Sequence, residues 1–208
     1  MPCSLCNCST LKFVSANDRD YLQCTGCRAI LLAPEFFLEA EEEKRRYSLH
    51  NNDVTDPRYI QFVNPIVEHV KQDFQPDASG LDFGCGTGPV ITNELEKKGF
   101  SIKLYDPYFQ PNQEVLAEKF DFIVCCEVME HFQQPLKEFK LLRSLLKKNG
   151  KLYCKTALWD DSGNFEAWHY KNDPTHVIFY RKDTLKWIRE NLDFTQVDIF
   201  KDHIVFST

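Results

Sequence analysis

A Rossmann-like doubly wound α/β sheet, closed by a C-terminal antiparallel hairpin, is predicted for most of this chain by three observations. Short apolar runs alternate with helix-forming segments from residue 57 onward. A glycine-rich turn, Gly84-x-Gly86-x-Gly88, joins the first of those runs to a helical pattern. Only Lys201-Asp202 separates the last two runs, Phe194 to Phe200 and His203 to Ser207, so they must pair as a hairpin and one strand must run against the others.

The first 33 residues read differently. Cys3, Cys6, Cys24 and Cys27 form the pattern C-x2-C-x17-C-x2-C, the spacing of a four-cysteine zinc site. Two residues between thiolates let a tight turn aim both sulfurs at one ion, and a second such pair completes a tetrahedron. Four thiolates leave no open position for substrate, so the predicted metal is structural zinc in a small ribbon, residues 1–33. Leu11 to Val14 and Tyr21 to Cys24 are its expected strands, and Gly26 is expected to supply a positive φ. A reduced hairpin without metal is the alternative. A redox CxxC fits less well, because neither pair opens a helix after a buried strand. Cys8 is a fifth thiol at poorer spacing.

Nine cysteines, an odd number, do not suit a fully paired disulfide framework. The N-terminus MPCSLCNCST has neither a basic region nor an apolar core, so a reducing, cytoplasmic setting is expected. No apolar run is long enough to span a bilayer. Residues 34–56 read as a bridging helix and linker: Pro34 to Leu49 has acidic residues early and basic ones late, with its charge run as a solvated face. Asp56-Pro57 then offers an N-cap and an N1 proline for a helix to about Phe74, which Pro65 is expected to kink or shorten.

The main domain, residues 57–208, opens with strand Leu81 to Phe83, which carries Asp82 into the glycine turn. Glycines at alternate positions let the backbone turn sharply and approach a ligand closely. The spacing is not the dinucleotide G-x-G-x-x-G. A helix from Val90 to Lys98 leads to a second strand, Ser101 to Asp106, whose terminal carboxylate falls where a nucleoside ribose would be held. Asp106-Pro107 is also a plain turn initiator. A third strand, Asp121 to Cys126, ends in Glu127-Val-Met-Glu-His131. A helix from Pro135 to Leu146, an Asn149-Gly150 C-cap, a strand over 151–156 and a helix over 183–191 complete the alternation.

LDFGCGTG, the acid of LYDP, FDFIVCCEVMEHF and the terminal hairpin together resemble the class I methyltransferases that use S-adenosylmethionine (SAM). YSLHNND, LYDPYF and WHYKNDPTH are similar to short bacterial members with an N-terminal zinc-binding segment. The resemblance implies that Gly84, Cys85, Gly86 and Gly88 contact the methionine end of SAM, with Asp82 beside them. It also implies Asp106 on the ribose and Glu127 near the cofactor. Only fourteen residues separate Asp106 from Asp121, where the family fits a helix, a strand and another helix. A shortened or missing edge strand is therefore expected, with Tyr108 or Phe109 as an aromatic wall or as core cover.

Methyl transfer is an in-line displacement, helped by a base when the acceptor is a hydroxyl or a protonated amine. His176, His131 and His169 are the candidate bases. His131 could also cap a helix, and His176 could be a structural histidine leading into Val-Ile-Phe-Tyr. Tyr47 and His50 could fold over the cofactor as a lid, or pack between segments. The net charge of −6 and the absence of a basic arm in the first fifty residues do not favour nucleic acid as partner. A small-molecule acceptor, taking the methyl on oxygen or nitrogen, is the expected substrate. RNA or protein methylation guided by the ribbon, and a non-catalytic SAM-binding module, are the rival functions. Oligomeric state is not legible in the sequence.

Overall fold

The computed structural model describes residues 1–49 and 53–208. Six strands form the central sheet: β4 (Ser79–Phe83), β5 (Ser101–Tyr105), β6 (Phe120–Cys126), β7 (Leu146–Lys155), β9 (Gln196–Ile199) and β10 (Ile204–Ser207). Their order is β5-β4-β6-β7-β10-β9. Pairings among β5, β4, β6 and β7 are parallel, and β10 runs antiparallel to both β7 and β9. The chain leaves β4 for β5 on one side and returns for β6 on the other, so the carboxyl ends of β4 and β6 diverge into a crevice. Between β5 and β6 there is only a 3₁₀ turn at Gln113–Ala117, so the expected edge strand is missing.

Helices cover both faces. On one, α2 (Pro57–Asp73) and α3 (Val90–Glu96) pack Val63, Ile66, Val67, Val70, Val90 and Leu95 against Phe122, Val124, Tyr153 and Val205. On the other, α4 (Pro135–Leu145) and α5 (Lys182–Asn191) bury Phe139, Leu142, Leu185 and Ile188 over Ile123, Leu152 and Phe206. Alternate residues of one strand point to opposite faces, which is why Phe122 and Ile123 serve different cores.

The ribbon joins this second core. Strands β1 (Thr10–Ala16), β2 (Arg19–Cys24) and β3 (Ile30–Leu32) form an antiparallel meander. A fourth strand, β8 (Ile178–Phe179), comes from the main domain and pairs Ile30 with Phe179 and Leu31 with Ile178. Tyr21, Ile30 and Leu32 are fully buried in the cluster that contains Phe139, Phe179 and Phe206. Each buried aliphatic side chain is worth roughly 1.5–3 kcal/mol, so the ribbon shares its stability with the sheet.

Several local expectations are corrected. Pro34 to Leu49 is not one helix: a 3₁₀ turn (Pro34–Phe36) and extended backbone at Phe37 and Glu39 precede α1 (Ala40–Tyr47). Packing of Phe36 and Phe37 on the core holds that stretch out of helical geometry. Pro65 does not end α2, whose buried stripe carries it through seventeen residues. Asn149-Gly150 is not a helix cap. It lies inside β7, where Asn149 has φ +61° and the register against β6 slips between Phe120 and Phe122. Gly26 supplies space rather than a positive φ, since a Cβ there would meet Cys8 Sγ at 2.6 Å. The positive φ angles fall on Asn7 and Arg28, directly after Cys6 and Cys27.

Nδ1 of His69 on α2 and Nε2 of His203 at the head of β10 lie 2.7 Å apart, with Asp73, Lys155 and Asp202 around them. Burial, together with His69 and Lys155, pushes His203 from near 6.5 down to about 4. The unfolded chain therefore takes up this proton before the folded one does. Stability is full above pH 6.5 and is lost as pH falls towards about 4. In urea titrations across that window, wild type is expected to lose about 1–2 kcal/mol more than His203→Gln.

Candidate active site

The carboxyl ends of β4, β5 and β6 open into a cavity of about 880 Å³, within the usual range for small-molecule sites. Its floor is the glycine turn. Gly84 and Gly86 adopt φ +81° and +62°, in the left-handed region that side chains avoid. A Cβ on Gly84 would also stand 2.5 Å from Val128. Gly84 N–H donates to Tyr105 O at 2.8 Å, stitching the turn to the end of β5. Beneath it, the buried Asp82 accepts from Thr92 Oγ1 at 2.8 Å, which joins β4 to the first turn of α3. Burial is the main cause that raises the Asp82 carboxyl to about 6.

Asp106 closes the turn from the other side. Its Oδ2 accepts from Gly86 N–H at 3.0 Å, and its Oδ1 from Tyr108 and Phe109 N–H at 2.8 and 3.0 Å. Three backbone donors hold this carboxylate facing the cavity. Asp82, Gly84, Cys85, Gly86, Gly88, Asp106 and Glu127 all line that cavity, as do Tyr108 and Phe109. These seven sequence-predicted residues thus share one cavity.

The far end carries titratable groups. Glu127 ends β6 at φ +52°, an uncommon conformation for such a residue. Tyr170 O–H lies 3.1 Å from Glu127 Oε2 and also bonds the fully buried Glu130. Burial of the two neighbouring carboxyls raises both above the ordinary glutamate range. His131 Nδ1 faces Thr175 O at 3.0 Å, and His176 Nδ1 faces Tyr170 O at 2.7 Å. A carbonyl only accepts, so Nδ1 carries the hydrogen in each ring and Nε2 is the basic nitrogen. The rings lie 4.8 Å apart, and both line the cavity.

His169 is corrected. It stands exposed on a short 3₁₀ turn away from the cavity, while its neighbours Trp168 and Tyr170 turn into an aromatic cluster. Tyr47 lines the cavity from α1, with its ring 5.2 Å from that of His131. His50 lies outside the described residues. Sequence reasoning missed Glu43 and Tyr59, which line the site, whereas Tyr170 and Asp173 lie in the Trp168–His176 segment that it had marked as a candidate acceptor cluster. Glu43 was hidden in the charge run read as a solvated face, yet it is buried and lines the cavity.

The four ribbon thiols form a separate cluster. Cys3 Sγ and Cys27 Sγ are 3.7 Å apart, and Cys6 Sγ and Cys24 Sγ 3.2 Å. All four sulfurs lie within 4.8 Å of one another and could hold a metal ion. A zinc–thiolate tetrahedron with bonds of ~2.3 Å has edges of about 3.8 Å, so the spacing suits that ion. Among the described residues, ligand atoms of Glu130, His131 and His176 also lie within 4.8 Å of one another.

A family model described as a methyltransferase domain matches residues 52–199. The chain belongs to this methyltransferase family. Curated relatives of the methyltransferase include the ubiquinone biosynthesis O-methyltransferase of Histophilus somni, 38% identical, with 54% of this chain and 58% of that one covered. The enzyme of the same name from Coxiella burnetii is 27% identical over 67% of this chain and 70% of its own. The chain therefore spans 58% to 70% of these relatives' length. Among solved structures, the 1,6-didemethyltoxoflavin-N1-methyltransferase of Burkholderia thailandensis matches with TM-score 0.55 and 15% identity, covering 94% of this chain and 97% of that one. That likeness supports the Rossmann-like fold. No helix among the described residues is long and apolar enough to cross a membrane.

Replacing Gly84 tests the cradle directly. Gly84→Ala combines a left-handed backbone with a clash against Val128, together worth about 2 kcal/mol or more. A lower melting temperature and at least about tenfold weaker binding of S-adenosylhomocysteine (SAH) are expected by thermal scanning and calorimetry.

Proposed function

We propose that this methyltransferase transfers the methyl group of SAM to an oxygen of a small-molecule acceptor. The observation that carries this reading is a single cavity. It is lined by the glycine cradle and Asp106 and also by two imidazoles whose Nδ1 atoms face backbone carbonyls. The residues present fit the cofactor. Gly84 and Gly86 leave room for close backbone approach, and Asp106 offers a carboxylate to vicinal hydroxyls.

Held by the glycine cradle and Asp106, SAM would supply an electrophilic sulfonium methyl for in-line transfer to the acceptor oxygen, with the carbon–sulfur electron pair left on sulfur as SAH. His176 Nε2 takes the acceptor's hydroxyl proton, and the His176 ring is held for this by Tyr170 O. His131, 4.8 Å away, and Tyr47 wall the acceptor on the other side. The protonated member of the Glu127/Glu130 pair keeps their shared site from carrying two full charges. Relatives named for O-methylation in ubiquinone biosynthesis support oxygen as the acceptor atom. A cavity of small-molecule dimensions supports a small acceptor.

Calorimetry with SAH and transfer of labelled methyl from SAM to a panel of phenols and catechols test this reading. Absence of SAH binding by metal-replete protein would sink it. His176→Ala is expected to lower turnover about 100-fold while changing SAH affinity less than about threefold. A second reading rests on the convergence of Glu130, His131 and His176. Those three residues would bind a divalent cation, which polarises a bound oxygen as a Lewis acid. Saturable stimulation by Mg²⁺ that Glu130→Gln abolishes would favour it.

We also infer that Cys3, Cys6, Cys24 and Cys27 hold one structural zinc ion, on the spacing of their sulfurs. Elemental analysis is expected to find about one zinc per chain. Displacing it with a thiol-directed mercurial should lower the melting temperature by roughly 10 °C or more. A zinc-free preparation with unchanged melting would overturn the assignment.

A further inference from the structure

The methyltransferase family match begins at residue 52, yet part of the cavity wall comes from earlier in the chain. Leu38, Glu39, Ala40, Glu43 and Tyr47 all line the cavity. Among the described residues no strand lies beyond β5 at that edge of the sheet, and the wall near Asp106 includes the Pro107–Phe109 turn and α1.

One side chain fastens these two pieces together. Glu43 is 8% exposed, while Glu41, Lys44 and Arg45 beside it are exposed. Its Oε1 accepts from Tyr47 O–H at 2.7 Å, and its Oε2 from Tyr108 O–H at 3.0 Å. Burial and the adjacent carboxylate raise both phenols above their ordinary range, so both remain donors. Tyr108 sits in the turn whose amides bind Asp106. Tyr47 packs on His131 at the acceptor end. Arg46 reaches Asp173, on the segment that carries His176, at 3.6 Å and fastens the end of α1 there.

We propose that Glu43 is a positioning residue: its two hydrogen bonds clasp α1 onto the turn after Asp106, completing the cofactor wall that the missing edge strand would otherwise form. This rests on the reading that the cavity binds SAM. The clasp acts on residence. With α1 held by a carboxylate that accepts from both phenols, a bound nucleoside is enclosed, and cutting the clasp lets it leave faster.

The test is SAH binding to the full chain, measured by calorimetry and by stopped-flow dissociation. The variants are Glu43→Ala, Glu43→Gln, Tyr47→Phe, Tyr108→Phe and the corresponding doubles. Glu43→Ala is expected to weaken SAH about tenfold, with the change in the dissociation rate. Glu43→Gln keeps one acceptor oxygen and is expected to fall between Ala and wild type. It carries the test where the Ala variant fails to fold. Tyr108→Phe should cost about threefold in wild type and under about twofold when Glu43 is already Ala, because its bond to Glu43 is then gone. Tyr47→Phe, whose hydroxyl also engages Thr175, should likewise cost less in the Glu43→Ala background than in wild type. Additive effects would overturn the clasp, since a residue supporting the fold at large gives no such coupling. Wild-type affinity in Glu43→Ala or Glu43→Gln would also overturn it. Failure of wild type itself to bind SAH would sink the functional reading, together with this one.

Discussion

Much of the site hangs on Asp106, whose carboxylate accepts three backbone N–H groups from two different turns. One donor comes from the glycine turn after β4, and two come from the turn after β5. Charge-assisted bonds of this kind are stronger than neutral ones and fix geometry as well as energy. Because both turns answer to one carboxylate, they cannot shift independently. The acid proposed to meet a nucleoside ribose is thus also the acid that shapes the cradle beside it. Glycine at 84 and 86 makes this possible, since the left-handed backbone there brings N–H groups inward that a side chain would exclude.

The same economy appears in the ribbon. In isolation, a segment of this size has too little core to fold without a staple. Here it has both a four-thiol cluster and a fourth strand taken from the main domain. β8 begins two residues after His176, and Leu32 N–H donates to the intervening Val177 O at 2.9 Å. Tyr21 and Asn17 reach the backbone or side chains of Lys171 and Asn172. The ribbon therefore buttresses the segment that carries a candidate base. That placement, more than any charge pattern, bears on what the ribbon is for.

At the acceptor end, burial and hydrogen bonding set the chemistry. Two carboxyls within reach of one phenol cannot both ionise cheaply in a dry environment, so one proton is retained among them. A backbone carbonyl faces Nδ1 of each imidazole, which orients the ring. The strained backbone at Glu127 lies where β6 hands the chain to these groups, and its N–H is held by Lys155 O at 2.8 Å. Strain concentrated at such a point is the usual mark of a working site.

Local periodicity and motif spacing by themselves determined the alternating α/β sheet, the reversed strand, the glycine turn with Asp106, and the paired cysteines, while the missing edge strand was an expectation drawn from the family resemblance. Each depends on contacts between residues close in sequence, or on a spacing that one turn can satisfy. Tertiary structure alone decided the rest. The two-residue strand β8 is too short for any periodic signal, and only its partner β3 makes it a strand. Glu43 belongs to a run whose composition reads as solvent-facing, and only the distant Tyr108 turns it inward. His169 and His176 share one polar segment, yet aromatic packing leaves the first exposed and sets the second in the cavity. Burial is a property of the whole packed chain, so a side chain's environment follows from partners that its neighbours in sequence do not reveal.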